Sequence, residues 1–202
     1  MPFTTYAELQ TAVQTWQDRQ DLSSNVPDFI RLFEAYANDE IGDVRQELSY
    51  ATLTPDANGE ATLPTDYKQW ERVTYMGSSR RELNYVEPSQ LVTDYPDLPS
   101  GIPADFTIEG SKIIIRPLDT TDIQLAYYGT IGPLSVATNW LFDERPDVYL
   151  AGALTELCAF AEDPPWTTYW QNRRDAGIAA IRAAAKKAKH SRIAQRVEGP
   201  TP

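Results

Sequence analysis

The spacing of apolar residues changes twice along the chain, and this change limits the folds that the sequence can adopt. Before about residue 48 and after about residue 143, apolar residues recur every three or four positions, as on one face of a helix. Between about residues 48 and 130 they alternate in short runs that are bounded by turn residues, which is typical of strands. The sequence therefore predicts an α+β fold, in which a helical bundle contains an inserted small antiparallel β subdomain.

Two amphipathic helices are predicted at the N-terminal end of the chain. A capping box begins the first helix, because the Thr5 hydroxyl and the Glu8 carboxylate can each accept a hydrogen bond from the other residue's backbone amide. The second helix follows Asn25, a favourable N-cap, and its apolar spacing predicts a helix over residues 26–47. Gly42 is expected to weaken this helix by about 1 kcal/mol relative to alanine.

Turn residues divide the middle of the chain into short strands. Asn58-Gly59 is typical of a tight turn, since glycine readily adopts positive φ. The clearest hairpin joins residues 106–108 to residues 113–115 through Gly110-Ser111. Residues 88–95 are expected to form one or two helical turns that begin at a proline.

Helices resume near Asp143, and the last predicted helix runs from about Trp166 to His190 after a break at Pro164-Pro165. Its apolar face thins beyond Ile181, so its end has little to bury within the monomer. We therefore divide the chain into residues 1–163, a helical core with the β insertion at about 48–130, and residues 164–202, a C-terminal helix and basic tail. The bundle is expected to contain about four helices.

Charge is distributed unevenly along the chain. The formal net charge is −11, yet residues 165–202 contain eight basic and two acidic residues, so the remaining residues carry −17. An acidic body with a basic end suggests that this end meets an acidic partner. The alternative interpretation is a basic helix end that complements its own helix dipole.

The residues needed for catalysis are scarce. The chain has one cysteine and one histidine, which excludes an internal disulfide and a cysteine-based zinc site. Cys158 lies among apolar residues of a predicted helix, and His190 lies among basic residues. Glycine-rich phosphate loops are absent, and no apolar run approaches the roughly 20 residues of a membrane helix.

We therefore expect that the protein is not an enzyme and has no catalytic, cofactor-binding or metal-binding residues. The 29 acidic residues leave one enzymatic alternative, a pair of carboxylates in a glycosidase-type site.

The order and spacing of several segments resemble one known family. These segments are Thr4–Leu9, Trp16–Leu22, Val26–Ala35, Leu63–Tyr67, Tyr127-Tyr128, Ile131–Ser135, Asn139–Leu141 and Arg145–Glu156. Over about residues 4–190, the chain resembles the tailed-bacteriophage head–tail adaptor (connector) proteins.

The resemblance implies a virion protein that forms a ring homo-oligomer of roughly twelve copies (a dodecamer) below the portal protein. The ring would extend the DNA channel and join the capsid to the next tail component, such as a tail-completion, nozzle or stopper protein. Packaged DNA would pass without sequence-specific binding, and assembly would take place in the host cytoplasm without a membrane partner.

Adaptors of this kind often bind the portal through a C-terminal helix or tail, so we expect residues 164–202 to form the portal-binding arm. We expect that the portal-binding residues are Trp166, Trp170, Arg182, Lys186, Lys187, Lys189, Arg192 and Arg196. The alternative function is nucleic-acid binding by the same basic tail, which would show a steep dependence on salt concentration.

Overall fold

A computed structural model of the chain describes residues 3–42 and 44–190. These residues form two compact units. The helical unit contains the described residues of 1–46 and 131–202, and the β unit contains residues 47–130. The predicted α+β class is confirmed, because the chain contains both helices and β-sheets.

The described residues contain six α-helices and eight strands. The helices are α1 (Tyr6–Trp16), α2 (Val26–Ile41), α3 (Pro88–Asp94), α4 (Trp140–Glu144), α5 (Pro146–Phe160) and α6 (Pro164–His190). The strands are β1 (Leu48–Leu53), β2 (Glu60–Thr62), β3 (Tyr67–Tyr75), β4 (Arg81–Glu82), β5 (Asn84–Tyr85), β6 (Asp105–Glu109), β7 (Lys112–Arg116) and β8 (Ile123–Gly129).

The predicted capping box begins α1. The Thr5 hydroxyl accepts a hydrogen bond from the Glu8 amide at 3.2 Å, and the Glu8 carboxylate accepts one from the Thr5 amide at 3.2 Å. Two amides at the start of the helix, which have no partner within the helix, are satisfied in this way.

The prediction of a single helix over residues 26–47 is wrong, because α2 ends at Ile41. Gly42 has a φ of 74°, which lies outside the right-handed helical region and which glycine adopts without a steric penalty. Gly42 therefore terminates the helix, whereas the sequence had placed it inside the helix as a weak position.

The core of the helical unit centres on the contact between α2 and α5. Phe33 of α2 lies directly against Gly152 of α5, where an added Cβ atom would stand only 2.0 Å from the Phe33 ring. The Tyr149 ring meets the Phe33 ring edge-on, with 5.0 Å between the centroids. Any side chain at position 152 would therefore push the two helices apart.

The segment that leads into α4 is bonded to α2 by two polar side chains, one half-buried and one buried. The Asn38 side chain accepts a hydrogen bond from the Ile131 amide at 2.6 Å and donates one to the Ile131 carbonyl at 3.2 Å. The Glu34 carboxylate accepts bonds from the Leu134 amide at 2.7 Å and the Tyr149 hydroxyl at 3.3 Å. These bonds satisfy backbone groups of an irregular segment that is itself partly buried.

The β unit contains two four-stranded sheets with the orders β1-β8-β3-β4 and β2-β7-β6-β5. Its core is a cluster of apolar side chains that includes Val73, Phe106, Ile113, Ile115 and Leu125. The predicted hairpin over residues 106–115 is confirmed as β6 and β7, and Gly110 in its turn has a φ of 57°.

One feature of the β unit departs from the antiparallel prediction. Strands β5 and β6 pair in parallel, whereas the other strand pairs are antiparallel. The chain between β5 and β6 contains α3, and a parallel pair requires such a crossover connection because a tight turn cannot join its strands.

Replacing Glu34 by glutamine should change how stability varies with pH. Burial raises the pKa of the Glu34 carboxyl, an effect that its two hydrogen bonds only partly oppose. Between the ordinary and the raised pKa, the native state binds more protons than the unfolded state, so stability falls as pH rises. Glu34→Gln keeps an acceptor oxygen without the charge and should remove this loss. Urea unfolding across the acidic to neutral range measures it.

The control is Asp39→Asn, which removes a negative charge from an exposed position of the same helix. We expect the stability of Glu34→Gln to exceed that of the wild type by a margin that grows as pH rises and then levels off. A margin that is constant with pH, or that shrinks, would contradict the role assigned to Glu34.

Candidate functional site

The turn between α5 and α6 sets the direction of the C-terminal helix. Glu162 has a φ of 53°, and its amide donates to the Ala159 carbonyl at 3.2 Å. The Asp163 amide donates to the Cys158 carbonyl at 3.0 Å, which completes a Schellman motif at the end of α5. Pro164 then begins α6 at a position where the missing N–H costs nothing.

The first two thirds of α6 are part of the core. Trp170, Arg174, Ile178 and Ile181 are buried, and their spacing of four, four and three residues places them on one face of the helix. The sequence had assigned all of residues 164–202 to an arm. In the structure, α6 packs on α5 through this face, so the part of α6 up to Ile181 belongs to the helical core.

Arg174 holds α6 in place through several contacts that the sequence did not reveal. Its guanidinium lies 3.8 Å from the centre of the Tyr36 ring on α2. It also pairs with Asp175 at 2.9 Å and lies 3.7 Å from Glu156 of α5. The Tyr36 hydroxyl donates to Asp175 at 3.0 Å, and burial raises the pKa of this tyrosine. Arg174 therefore belongs to the interior of the helical unit.

An aromatic cluster lies at the start of α6. It consists of Trp16, Trp166, Tyr169 and Trp170, whose neighbouring rings lie 4.9–6.4 Å apart. The Arg173 guanidinium lies 5.5 Å from the centre of the Trp170 ring. Trp170 is only 2% exposed, whereas Trp16, Trp166 and Tyr169 are 56%, 48% and 46% exposed. The cluster therefore anchors α6 through one ring and presents three rings on the surface.

The expected portal-binding residues fall into different environments. Trp166 is exposed, and Trp170 is buried. Arg182 pairs with Glu40 of α2 at 2.7 Å, and Lys186 and Lys187 are exposed. Lys189 lies within α6 but its side chain lies outside the described residues, as do Arg192 and Arg196 entirely.

The members of this set that the structure describes do not form one patch. Because a helix rises 1.5 Å per residue, Trp166 and Lys187 lie about 30 Å apart along α6. The buried Trp170 ring is not available on the surface of the monomer. Two separate surfaces remain, the aromatic cluster at the start of α6 and the basic end that includes Lys186 and Lys187.

The SU10 adaptor protein family matches residues 4–197, a range that includes the whole of α6. The chain belongs to the SU10 adaptor protein family. This is a family of phage head–tail adaptors, so the predicted resemblance is confirmed. No curated protein matches the chain. The chain is thus a phage adaptor, a structural protein of the virion that interacts with other head–tail components.

The part of the adaptor that the structure describes lacks two kinds of feature. None of its helices combines the length and the apolar character that a membrane crossing requires. Within residues 3–42 and 44–190, no three His, Cys, Asp or Glu side chains are grouped so that they could hold a metal ion.

The two neighbouring tryptophans of the aromatic cluster should respond differently to removal. Trp170→Ala should lower the free energy of unfolding by about 3–5 kcal/mol, because it empties a large buried volume. Trp166→Ala should cost about 1 kcal/mol, because its ring is half exposed. Urea unfolding followed by circular dichroism measures both values.

Trp170→Phe is the matched control, because it keeps an aromatic ring at the buried position and should recover much of the lost stability. Similar losses for Trp166→Ala and Trp170→Ala would show that the two rings are not divided between surface and core.

Proposed function

We propose that this adaptor assembles as a ring below the portal, extends the DNA channel and joins the capsid to the next tail component. Membership of a head–tail adaptor family supports this role. The observation that carries the proposal is that α6 continues to His190, well past the last residue of its buried stripe, Ile181.

The end of α6 has the properties of a docking element. Beyond Ile181, the described side chains are exposed apart from Ala185, which packs partly against the core. A helix of which one end is held by tertiary packing and the other is bare can present that end to a partner with little ordering cost. The bare end includes Lys186 and Lys187, so it complements an acidic surface.

The aromatic cluster supplies a second part of the proposed portal contact. Tryptophan, tyrosine and arginine are the residues that contribute most often to binding hot spots, and Trp166, Tyr169 and Arg173 are all exposed here. Trp166 and Tyr169 are already held by their contacts with Trp170, so binding would immobilise few additional rotatable bonds. In this proposal, the rings contribute most of the affinity and the basic end directs the approach.

We also propose that the protein has no catalytic role. The only cysteine, Cys158, is buried, and burial raises the pKa of its thiol to about 11, so little reactive thiolate exists near neutral pH. The negative charge of the chain supports a channel lining that does not retain DNA phosphates.

Electron microscopy of portal rings mixed with the adaptor tests the docking role. Full-length protein should decorate the portal with a ring, whereas a chain truncated after Ala185 should decorate it weakly or not at all. Truncation after Asp163 would be uninformative, because it removes Trp170, Arg174, Ile178 and Ile181 from the core. If the chain truncated after Ala185 decorates the portal fully, the end of α6 is not the portal-binding element.

Charge reversal refines this test. Lys186→Glu combined with Lys187→Glu should weaken portal binding roughly tenfold or more, since two favourable charges become repulsive. Arg31→Glu, at an exposed position of α2, is the control and should bind as the wild type does. If no condition gives portal decoration and the same variants instead lose salt-sensitive binding to duplex DNA, the nucleic-acid-binding alternative replaces the adaptor ring.

A further inference from the structure

A surface depression with an unusual charge lies on the β unit. Its volume is about 330 Å³. The residues that line it are Arg72, Thr74, Met76, Arg80, Arg81, Glu82 and Gln124. Three of the seven are arginines, although the β unit as a whole contains seven more acidic than basic residues.

The first sheet builds the floor of this depression. Arg72, Thr74 and Met76 alternate along β3 and its end, so they share the face opposite to Val73 and Tyr75, which are buried. Gln124 of β8 pairs directly with Thr74. The ladder between β3 and β8 shifts register between Trp70 and Arg72. Such a bulge changes the direction of the side chains that follow it.

The arginines of the depression have no carboxylate partner within the described residues, whereas the two lysines of the β unit, Lys68 and Lys112, do. Lys112 pairs with Glu60 at 2.7 Å. The Arg81 guanidinium donates to the carbonyls of Ile102 and Pro103, both at 2.7 Å. Carbonyl oxygens fix its position but leave its full positive charge. Arg72 and Arg80 likewise form no ion pair with any residue in the described ranges 3–42 and 44–190.

The depression opens at the outer edge of the sheet. Strand β4 is the last strand, and it pairs only with Thr74 and Tyr75 of β3. No described strand covers the same edge of β3 before Val73. Charged residues, here Glu71 and Arg72, disfavour the addition of another strand at an open edge. A chain that approaches this edge therefore meets the charged side chains of Glu71 and Arg72.

We propose that this depression receives carboxylate side chains from a second copy of the chain. The inference rests on the ring proposed above and deepens it by naming a contact between neighbours. Arginine forms paired, charge-assisted hydrogen bonds with carboxylates, which fix both distance and orientation. A cationic depression on a chain with a net charge of −11 is complementary to most of the surface of another copy.

The contact joins two different surfaces, so it is heterologous and can close into a ring. Duplex DNA is the less favourable ligand, because its continuous phosphate charge would also meet the acidic residues that outnumber the basic ones in the β unit.

Zero-length cross-linking on the portal-bound ring tests this contact. An Arg72→Lys variant places an amine in the depression, and a water-soluble carbodiimide then joins that amine to any carboxylate in direct contact. Assembly from an equal mixture of unlabelled and ¹⁵N-labelled protein allows mass spectrometry to separate links within one copy from links between copies. We expect links from position 72 to an acidic residue of another copy, and none from that position in the wild type.

Charge reversal at the depression gives a second readout. Arg72→Glu combined with Arg80→Glu should leave the fold intact, because neither side chain has an ion-pair partner among the described residues. It should raise the protein concentration needed to complete the ring roughly tenfold or more. Arg31→Glu, at an exposed position of the helical unit that neither proposed contact uses, is the control, and it is compared with Arg72→Glu alone, which carries the same charge change.

The two proposals fail in different ways. Complete rings that give no link from position 72, or only links within one copy or to the portal, would overturn the neighbour contact and leave the ring standing. If even the wild-type protein forms no ring on the portal, both the proposed ring and the proposed neighbour contact are wrong.

Discussion

The packing of Phe33 on Gly152 joins two parts of the chain that are far apart in sequence. With no Cβ at position 152, the Phe33 ring rests on the backbone of α5, and α2 and α5 approach closely. This approach allows α5 to be buried around almost its whole circumference, because α1, α2, α4 and α6 all contact it. Residues Val148 to Thr155 are buried without interruption. Neither half of the helical unit can bury its apolar surface without the other.

Helix α6 is buried against α5 over only part of its length. Helix α6 packs on α5 along the face from Trp170 to Ile181 and continues without a break into an exposed end. Because a helix transmits position along its axis, the burial of the first part orients the bare part. Arg174 strengthens this arrangement through its contacts with α2 and α5. An adaptor that must present a rigid element to another protein gains from this construction.

Local patterns allowed much of the fold to be predicted. The capping box at Thr5 and Glu8 and the hairpin turned by Gly110 involve residues within a few positions of each other, so short-range chemistry decides them. The end of α2 was missed, because the apolar spacing continues past Gly42 and hides the change in backbone direction. Periodicity records which side chains are apolar but not where the backbone leaves the helical region.

The candidate sites were harder to predict, since they depend on partners that are distant in sequence. Trp166 and Trp170 are four residues apart on one helix, and only the approach of Trp16 from α1 shows which ring belongs to the interior. The buried role of Arg174 requires Tyr36, which lies on another helix. Arg72 and Arg80 share a depression because of the order and register of β3 and β4, which the sequence left open.

The two cationic surfaces of this acidic chain are built in different ways, which suits them to different neighbours. The end of α6 is held in direction by the buried part of the helix, but its exposed lysine side chains are long and flexible, so their charged groups can adjust to a partner. The arginine depression has a floor of paired strands, and backbone carbonyls hold Arg81 in place, so it accepts a ligand of fixed geometry. A contact that repeats between identical copies needs fixed geometry, because small angular errors accumulate and prevent closure of the ring. A contact with a different protein tolerates adjustment, since it need not reproduce a symmetry operation. The rigid surface therefore fits the neighbour contact, and the bare helix end fits the portal.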